Sequence, residues 1–161
     1  MSEIAGLSQS PAELVERVFQ HIHQQEMAQM SFCRDDLNVT VSPFQCVDGQ
    51  WTGVVFTPWM LSLMIFPGPD DIWPRRHVTS KLGIKLAGSD YLFNVGEHEE
   101  LGQYLSCSLM SPIKGVACQQ EADKIVSELS RMVWAFDCKT ESIDEDKRRL
   151  FSGFRNEQSI G

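Results

Sequence analysis

The stretch Thr57–Pro74, TPWMLSLMIFPGPDDIWP, constrains the fold more than any other part of the chain. From Trp59 to Phe66 every residue except Ser62 is large and apolar. Such a run has no polar face to give to water, so it predicts a strand covered on both sides, at the centre of a sheet. Pro67-Gly68-Pro69 breaks the run, and Asp70, Asp71 and Trp73 follow before Pro74. Proline fixes φ and removes an amide donor, so this second half predicts a rigid turn that displays an aromatic beside two carboxylates. Loops on a rigid scaffold carry function disproportionately, which makes Pro67 to Trp73 a candidate partner contact.

The elements around this stretch follow from periodicity. Ser10-Pro11-Ala12-Glu13 reads as a helix start, and Leu14, Val15, Val18, Phe19 and Ile22 form one helical face, predicting a helix from Pro11 to Met30. His21 and His23 fall on different faces of that helix, so they chelate no common metal and read as solvated. Val39 and Val41 alternate with polar residues, and Pro43 makes that strand an edge or an interruption. Asp48-Gly49 between two apolar runs predicts a hairpin whose two turn residues take positive φ. Arg75-Arg76-His77 reads as a solvated basic turn. Alternation predicts strands around Leu82–Leu86, Tyr91–Val95 and Leu105–Leu109, with Cys107 facing the core. Ala122, Ile125, Val126, Leu129, Met132, Val133 and Phe136 form the stripe of a second helix, Cys118–Phe136.

The expected class is α+β: an antiparallel sheet of about six strands packed with an N-terminal and a C-terminal helix in two layers, both helices on one sheet face. A single domain over residues 1–138 and a polar tail over 139–161 are expected. The tail holds a basic-aromatic cluster, Asp146-Lys147-Arg148-Arg149-Leu150-Phe151 with Phe154.

Composition narrows the function. Net charge is -8, from 22 acids against 14 bases, which argues against nucleic acid and anionic membrane as partners and suits a partner bearing Lys or Arg. The longest apolar run is about eight residues, against roughly 20 for a membrane-spanning helix. The N-terminal residues show no basic-then-apolar leader, so a cytoplasmic protein is expected. The five cysteines, Cys33, Cys46, Cys107, Cys118 and Cys138, contain no C-x-x-C pair, which predicts reduced thiols rather than a zinc site or disulfide framework. No phosphate-binding glycine loop, zincin, EF-hand or nucleophile-elbow pattern is present. Glu97-His98-Glu99 lacks metal-site spacing. No enzyme, metal or cofactor is therefore expected, and these residues alone support a binding module. A metal or redox protein using Cys107, His98 and the nearby acids is the alternative.

Longer strings add a family resemblance. Thr57-Pro58-Trp59-Met60-Leu61-Ser62, Ile65-Phe66-Pro67-Gly68-Pro69-Asp70, Trp73-Pro74 and Gln103-Tyr104-Leu105-Ser106-Cys107-Ser108-Leu109-Met110-Ser111-Pro112 carry it. Glu3-Ile4-Ala5-Gly6, Gly49-Gln50-Trp51-Thr52-Gly53, Val95-Gly96-Glu97 and Arg148-Arg149-Leu150-Phe151 add to it. In these strings the chain resembles the HybE family of [NiFe]-hydrogenase assembly chaperones, whose relatives include HupJ and HoxT. The resemblance implies a cytoplasmic, non-enzymatic accessory that binds large- or small-subunit precursors of a [NiFe]-hydrogenase. It also implies proofreading before twin-arginine export, or protection of the small subunit and its clusters. Some relatives carry a rubredoxin-like domain; this chain lacks its C-x-x-C pairs, so no iron site follows.

A twin-arginine precursor presents two guanidinium groups and then an apolar segment. Asp70 and Asp71 beside Trp59 and Trp73, with Glu97, Glu99 and Glu100, have the complementary character: carboxylates orient arginine, and buried aromatics supply affinity. Pro67, Gly68 and Pro69 hold the turn, and Arg148, Arg149, Leu150 and Phe151 offer a second surface.

Overall fold

The computed structural model describes residues 3–31, 33–34, 36–86, 89–111 and 113–140. In chain order these form β1 (Glu3–Ala5), α1 (Ala12–Ile22), β2 (Thr40–Val41), β3 (Gln45–Val47), β4 (Gln50–Thr57), β5 (Met60–Phe66), β6 (Ile72–Pro74), β7 (Lys81–Leu86), β8 (Ser89–His98), β9 (Gly102–Met110) and α2 (Gln119–Thr140). The α+β class and the antiparallel sheet agree with the sequence. One seven-stranded sheet runs β2-β4-β5-β9-β8-β7, with β3 also on β4, and a separate ribbon pairs β1 with β6. The sequence missed that ribbon, because three residues are too few to show a period.

The central stretch folds as its composition demands. β5 pairs with β4 on one side and β9 on the other, and Leu61 to Phe66 are all buried. Side chains alternate across the sheet. Leu61, Leu63 and Ile65 of β5, with Val54 and Phe56 of β4, pack in one cluster with Ala122, Val126 and Val133 of α2. Met64 and Phe66, with Val55, pack in another with Val15, Val18 and Phe19 of α1. The two helices therefore sit on opposite faces of the sheet, which corrects the two-layer expectation. The physical reason is the one that placed β5 at the centre: a strand apolar on both faces needs cover on both. Each fully buried side chain of this kind contributes about 1.5–3 kcal/mol.

α1 is eleven residues long, so it spans about 16 Å and reaches only part of its face. It packs on β2 and β4. At the β8–β9 side of that face Leu92 and Ser108 are exposed and Asn94 and Ser106 half-buried, whereas Phe93, Val95, Leu105 and Cys107 join the α2 cluster.

Local chemistry fixes the turns. Asp48 and Gly49 take φ of 53° and 79°, the paired positive values that the hairpin requires. Pro43 divides the edge: β2 pairs with the last turns of β4 and β3 with its start. Between them Ser42 takes over the pairing. Its amide donates to the Val54 carbonyl at 2.9 Å, and its hydroxyl oxygen accepts the Val54 amide at 2.9 Å. Ser10 Oγ accepts the Ala12 amide at 3.3 Å at the start of α1.

The helix predicted to reach Met30 changes character at His23. A π turn, His23–Met27, is closed by the Ala28 amide donating to the His23 carbonyl at 2.9 Å. It turns the His23 ring to within 5.9 Å of the Trp59 ring. His23 is thus half-buried, not solvated, and its Nε2 is buried with no hydrogen-bond partner among the described residues. His21 remains exposed.

Candidate partner-binding surface

The loop after β5 is clamped from two sides. Gln50, buried at the start of β4, aims its amide into the loop. Its Oε1 accepts the Gly68 amide at 3.3 Å and the Trp73 indole N–H at 3.0 Å, and its Nε2 donates to the Asp71 carboxylate. These three partners fix the amide orientation. The segment after β1 closes the other side. The Gly6 amide donates to the Asp71 carbonyl at 2.9 Å and the Leu7 amide to the Pro67 carbonyl at 3.1 Å. The Trp51 indole N–H donates to the Leu7 carbonyl at 2.8 Å. At the centre three backbones stack. A Cβ on Gly68 would overlap the Gly49 carbonyl oxygen, and one on Gly6 the Gly68 carbonyl oxygen.

The ribbon emerges from this clamp. β1 and β6 pair Glu3 with Pro74, Ile4 with Trp73 and Ala5 with Ile72. Strand alternation sends Ile4 and Trp73 to the core and leaves Glu3, Ala5 and Ile72 exposed. Ile72 is 54% exposed, and Pro69 and Asp70 lie in solvent just before it.

The expected display of aromatics is therefore corrected. Trp73 is 2% exposed, its ring in the α2-side core and its N–H held by Gln50. Trp59 is 9% exposed and packs on the α1 side, 6.4 Å from the Phe19 ring. It lies in the turn between β4 and β5, not in the strand, with Thr57 Oγ1 accepting the Trp59 and Met60 amides at 3.4 and 3.0 Å. Pro67 and Gly68 are buried, and Asp71 is half-buried as part of the clamp. Of the acid pair, only Asp70 is a surface group. The large apolar side chain exposed on this surface is Ile72, which the periodicity of the sequence did not single out. Its signal was the same alternation that buries Trp73.

Glu97 reaches the end of the ribbon through Arg75, which follows Pro74. Arg75 NH1 donates to Glu97 at 3.0 Å, and Gln103 Nε2 donates to Glu97 at 3.2 Å. Gln103 is buried and brackets the next residue: its Oε1 accepts the Arg76 amide at 2.9 Å and its Nε2 donates to the Arg76 carbonyl at 2.6 Å. Arg76 is consequently buried rather than part of a solvated turn. The Arg75–Glu97 pair is partly exposed on both sides, so it positions more than it stabilises. Arg148, Arg149, Leu150 and Phe151 lie outside the described residues.

Cys107 and His98 do not share a site. Cys107 follows Ser106, which pairs with Asn94, and His98 pairs with Gly102, so about five residues of strand, roughly 16 Å, separate them. Burial pushes the Cys107 thiol pKa up, partly offset by a backbone hydrogen bond from Leu92. A raised pKa means less thiolate at neutral pH. Cys107 should alkylate with iodoacetamide at least about tenfold more slowly than the exposed Cys46 and Cys118, read by peptide mass spectrometry. Equal rates would show that β9 is not the closed strand described. His98 Nδ1 accepts the Glu100 amide at 3.1 Å, which ties that imidazole to its own turn. Among the described residues, no group of three or more His, Cys, Asp or Glu side chains is placed to hold a metal ion, and no helix is long and apolar enough to cross a membrane.

The sequence model described as "[NiFe]-hydrogenase assembly, chaperone, HybE" matches residues 10–153. The chain belongs to the HybE family. It is 41% identical over 147 residues to the Hydrogenase-2 operon protein HybE of Escherichia coli K12, covering 91% of each chain. It is 29% identical over 126 residues to the hydrogenase expression/formation protein HupT of Azotobacter chroococcum, covering 78% of this chain and 83% of that one. The solution structure of HybE from Escherichia coli superposes with a TM-score of 0.71 at 43% identity, covering 84% of this chain and 83% of that one. As a HybE-family member the protein is a hydrogenase assembly chaperone. Gln50, the loop after β5 and β6 lie inside the matched residues, whereas β1 and the Gly6–Leu7 side of the clamp precede them.

Proposed function

We propose that the protein binds a [NiFe]-hydrogenase subunit precursor in the cytoplasm through the ribbon face carrying Asp70 and Ile72, and holds that subunit back from twin-arginine export until assembly is complete. The observation that carries this reading is Ile72. It is a large apolar side chain, more than half exposed, on a ribbon braced against the core, with Asp70 exposed two residues before it and Glu3 exposed on the paired strand opposite Pro74. A paired-arginine segment followed by apolar residues complements that arrangement, since carboxylates orient guanidinium groups and the apolar contact supplies affinity. Trp73, Pro67, Gly68 and Asp71 support the surface from beneath, whereas Trp59 lies at the opposite end of β5, about 20 Å along the strand, and takes no part in it. Glu97, tied to the ribbon end through Arg75, extends its acidic rim.

The test is titration of the purified protein against the large subunit, the small-subunit precursor and the small subunit without its signal peptide. The double variant Asp70→Lys, Ile72→Glu should weaken binding to its precursor at least about tenfold, or roughly 1.4 kcal/mol. Its melting temperature should stay close to that of the parent, because both side chains lie in solvent. Undiminished affinity in the folded variant overturns the assignment of this face. Equal affinity for the small subunit with and without its signal peptide overturns the export part of the proposal.

A further inference from the structure

A second apolar surface lies where α2 crosses the sheet. A cavity of about 50 Å³ opens there between Val54, Leu63 and Leu109 of the sheet and Leu129, Met132 and Val133 of α2. Its mouth is unsealed: Leu109 is 39% and Met132 46% exposed. The space is far below the roughly 300–1,000 Å³ of a small-molecule site. It suits the end of one or two apolar side chains.

The chain itself supplies such a pair. Residues 141–161 follow α2, and Leu150-Phe151 is their only adjacent pair of large apolar residues. Val133 stands seven positions before Thr140, about 10 Å along the helix. The ten residues from Thr140 to Leu150 reach at most about 33–36 Å. The return path is short and leaves slack. Lys147, Arg148 and Arg149 precede the pair, and Glu128 is exposed one helical turn before Met132, on the same side of α2. A tether this short holds the pair at an effective concentration in the millimolar range, which favours the molecule's own segment over that of a second copy. The family match extends to residue 153 and so includes the pair.

We propose that Leu150 and Phe151 fold back within the same molecule and seat in the groove formed by Leu109, Leu129, Met132 and Val133. This goes beyond the ribbon surface and does not depend on it. Two-dimensional NMR on the full chain, with labelled Leu, Val and Met methyl groups, tests it. The Phe151 ring should give cross-peaks to the Leu109 and Met132 methyl groups. Leu150→Asp with Phe151→Asp should abolish them, shift those methyl resonances, and speed amide exchange at Leu129–Val133 at least about fivefold. Met132→Lys should have the same effect on the Phe151 cross-peaks from the groove side. Methyl resonances unmoved by the tail variant overturn the proposal. So do cross-peaks that weaken on dilution, since those would report a second copy.

Discussion

Gly68→Ala should destabilise the protein by about 4 kcal/mol, enough to unfold much of the population near physiological temperature. The added Cβ would overlap the Gly49 carbonyl oxygen, and that neighbour is backbone, not a side chain that can swing aside. Gly49 lies in the Asp48-Gly49 hairpin, and Gly6 presses on Gly68 from the other side, so relief in either direction breaks a clamp contact. Moving the loop also strips Gln50 of the Gly68 amide and Trp73 of its indole acceptor. Urea unfolding gives the loss directly. Gly83→Ala is the control: a Cβ there meets open space, and a change within about 1 kcal/mol is expected. Comparable losses at the two positions would show that the stacked backbones are not the cause.

The second large effect is at Trp73. Trp73→Ala should cost about 3–5 kcal/mol, the range for emptying the site of a large aromatic. It would also leave Gln50 Oε1 with one fewer donor in a buried place. Thermal and urea midpoints should both fall. This bears on how the docking surface is tested. A Trp73 variant that loses partner binding reports a damaged fold, whereas Asp70 and Ile72 are exposed and can be changed with the core intact. A Trp73→Ala protein as stable as the parent would place the indole outside the core and restore it as a contact residue.

The sequence showed the class, the antiparallel pairing of strands joined by short turns and both helices, because each is carried by a period repeated several times, but not the β5–β9 pairing that closes the sheet. The Asp48-Gly49 hairpin was legible because turn chemistry is local. Layering was not. The pattern of β5 demanded cover on both faces, but which helix supplies which cover depends on packing between residues far apart in the chain: Val18 shares a cluster with Val55, and Val126 shares the other with Val54. The candidate site was half legible. Its position at Pro67–Pro74 was read from proline, glycine and acid chemistry. The orientation of Trp73 was not, because it is set by β1, a partner nearly seventy residues away, and by Gln50. A buried glutamine after a hairpin glycine has no signature in one sequence. His23 misled for a related reason: two histidines two apart do fall on different faces, but only His21 faces water, because a π turn begins at His23 beside the Trp59 ring.

Both margins of the large sheet are poor templates for another chain. One is split into β2 and β3 around Pro43, with Ser42 already bonded to β4. The other, β7, carries the exposed lysines Lys81 and Lys85. Broken and charged margins resist strand addition. A protein that meets incompletely folded subunits is exposed to chains seeking such a margin, and this architecture denies it to them. On the proposed reading, a client is held by side chains on the ribbon, where contact can be reversed without unzipping a sheet.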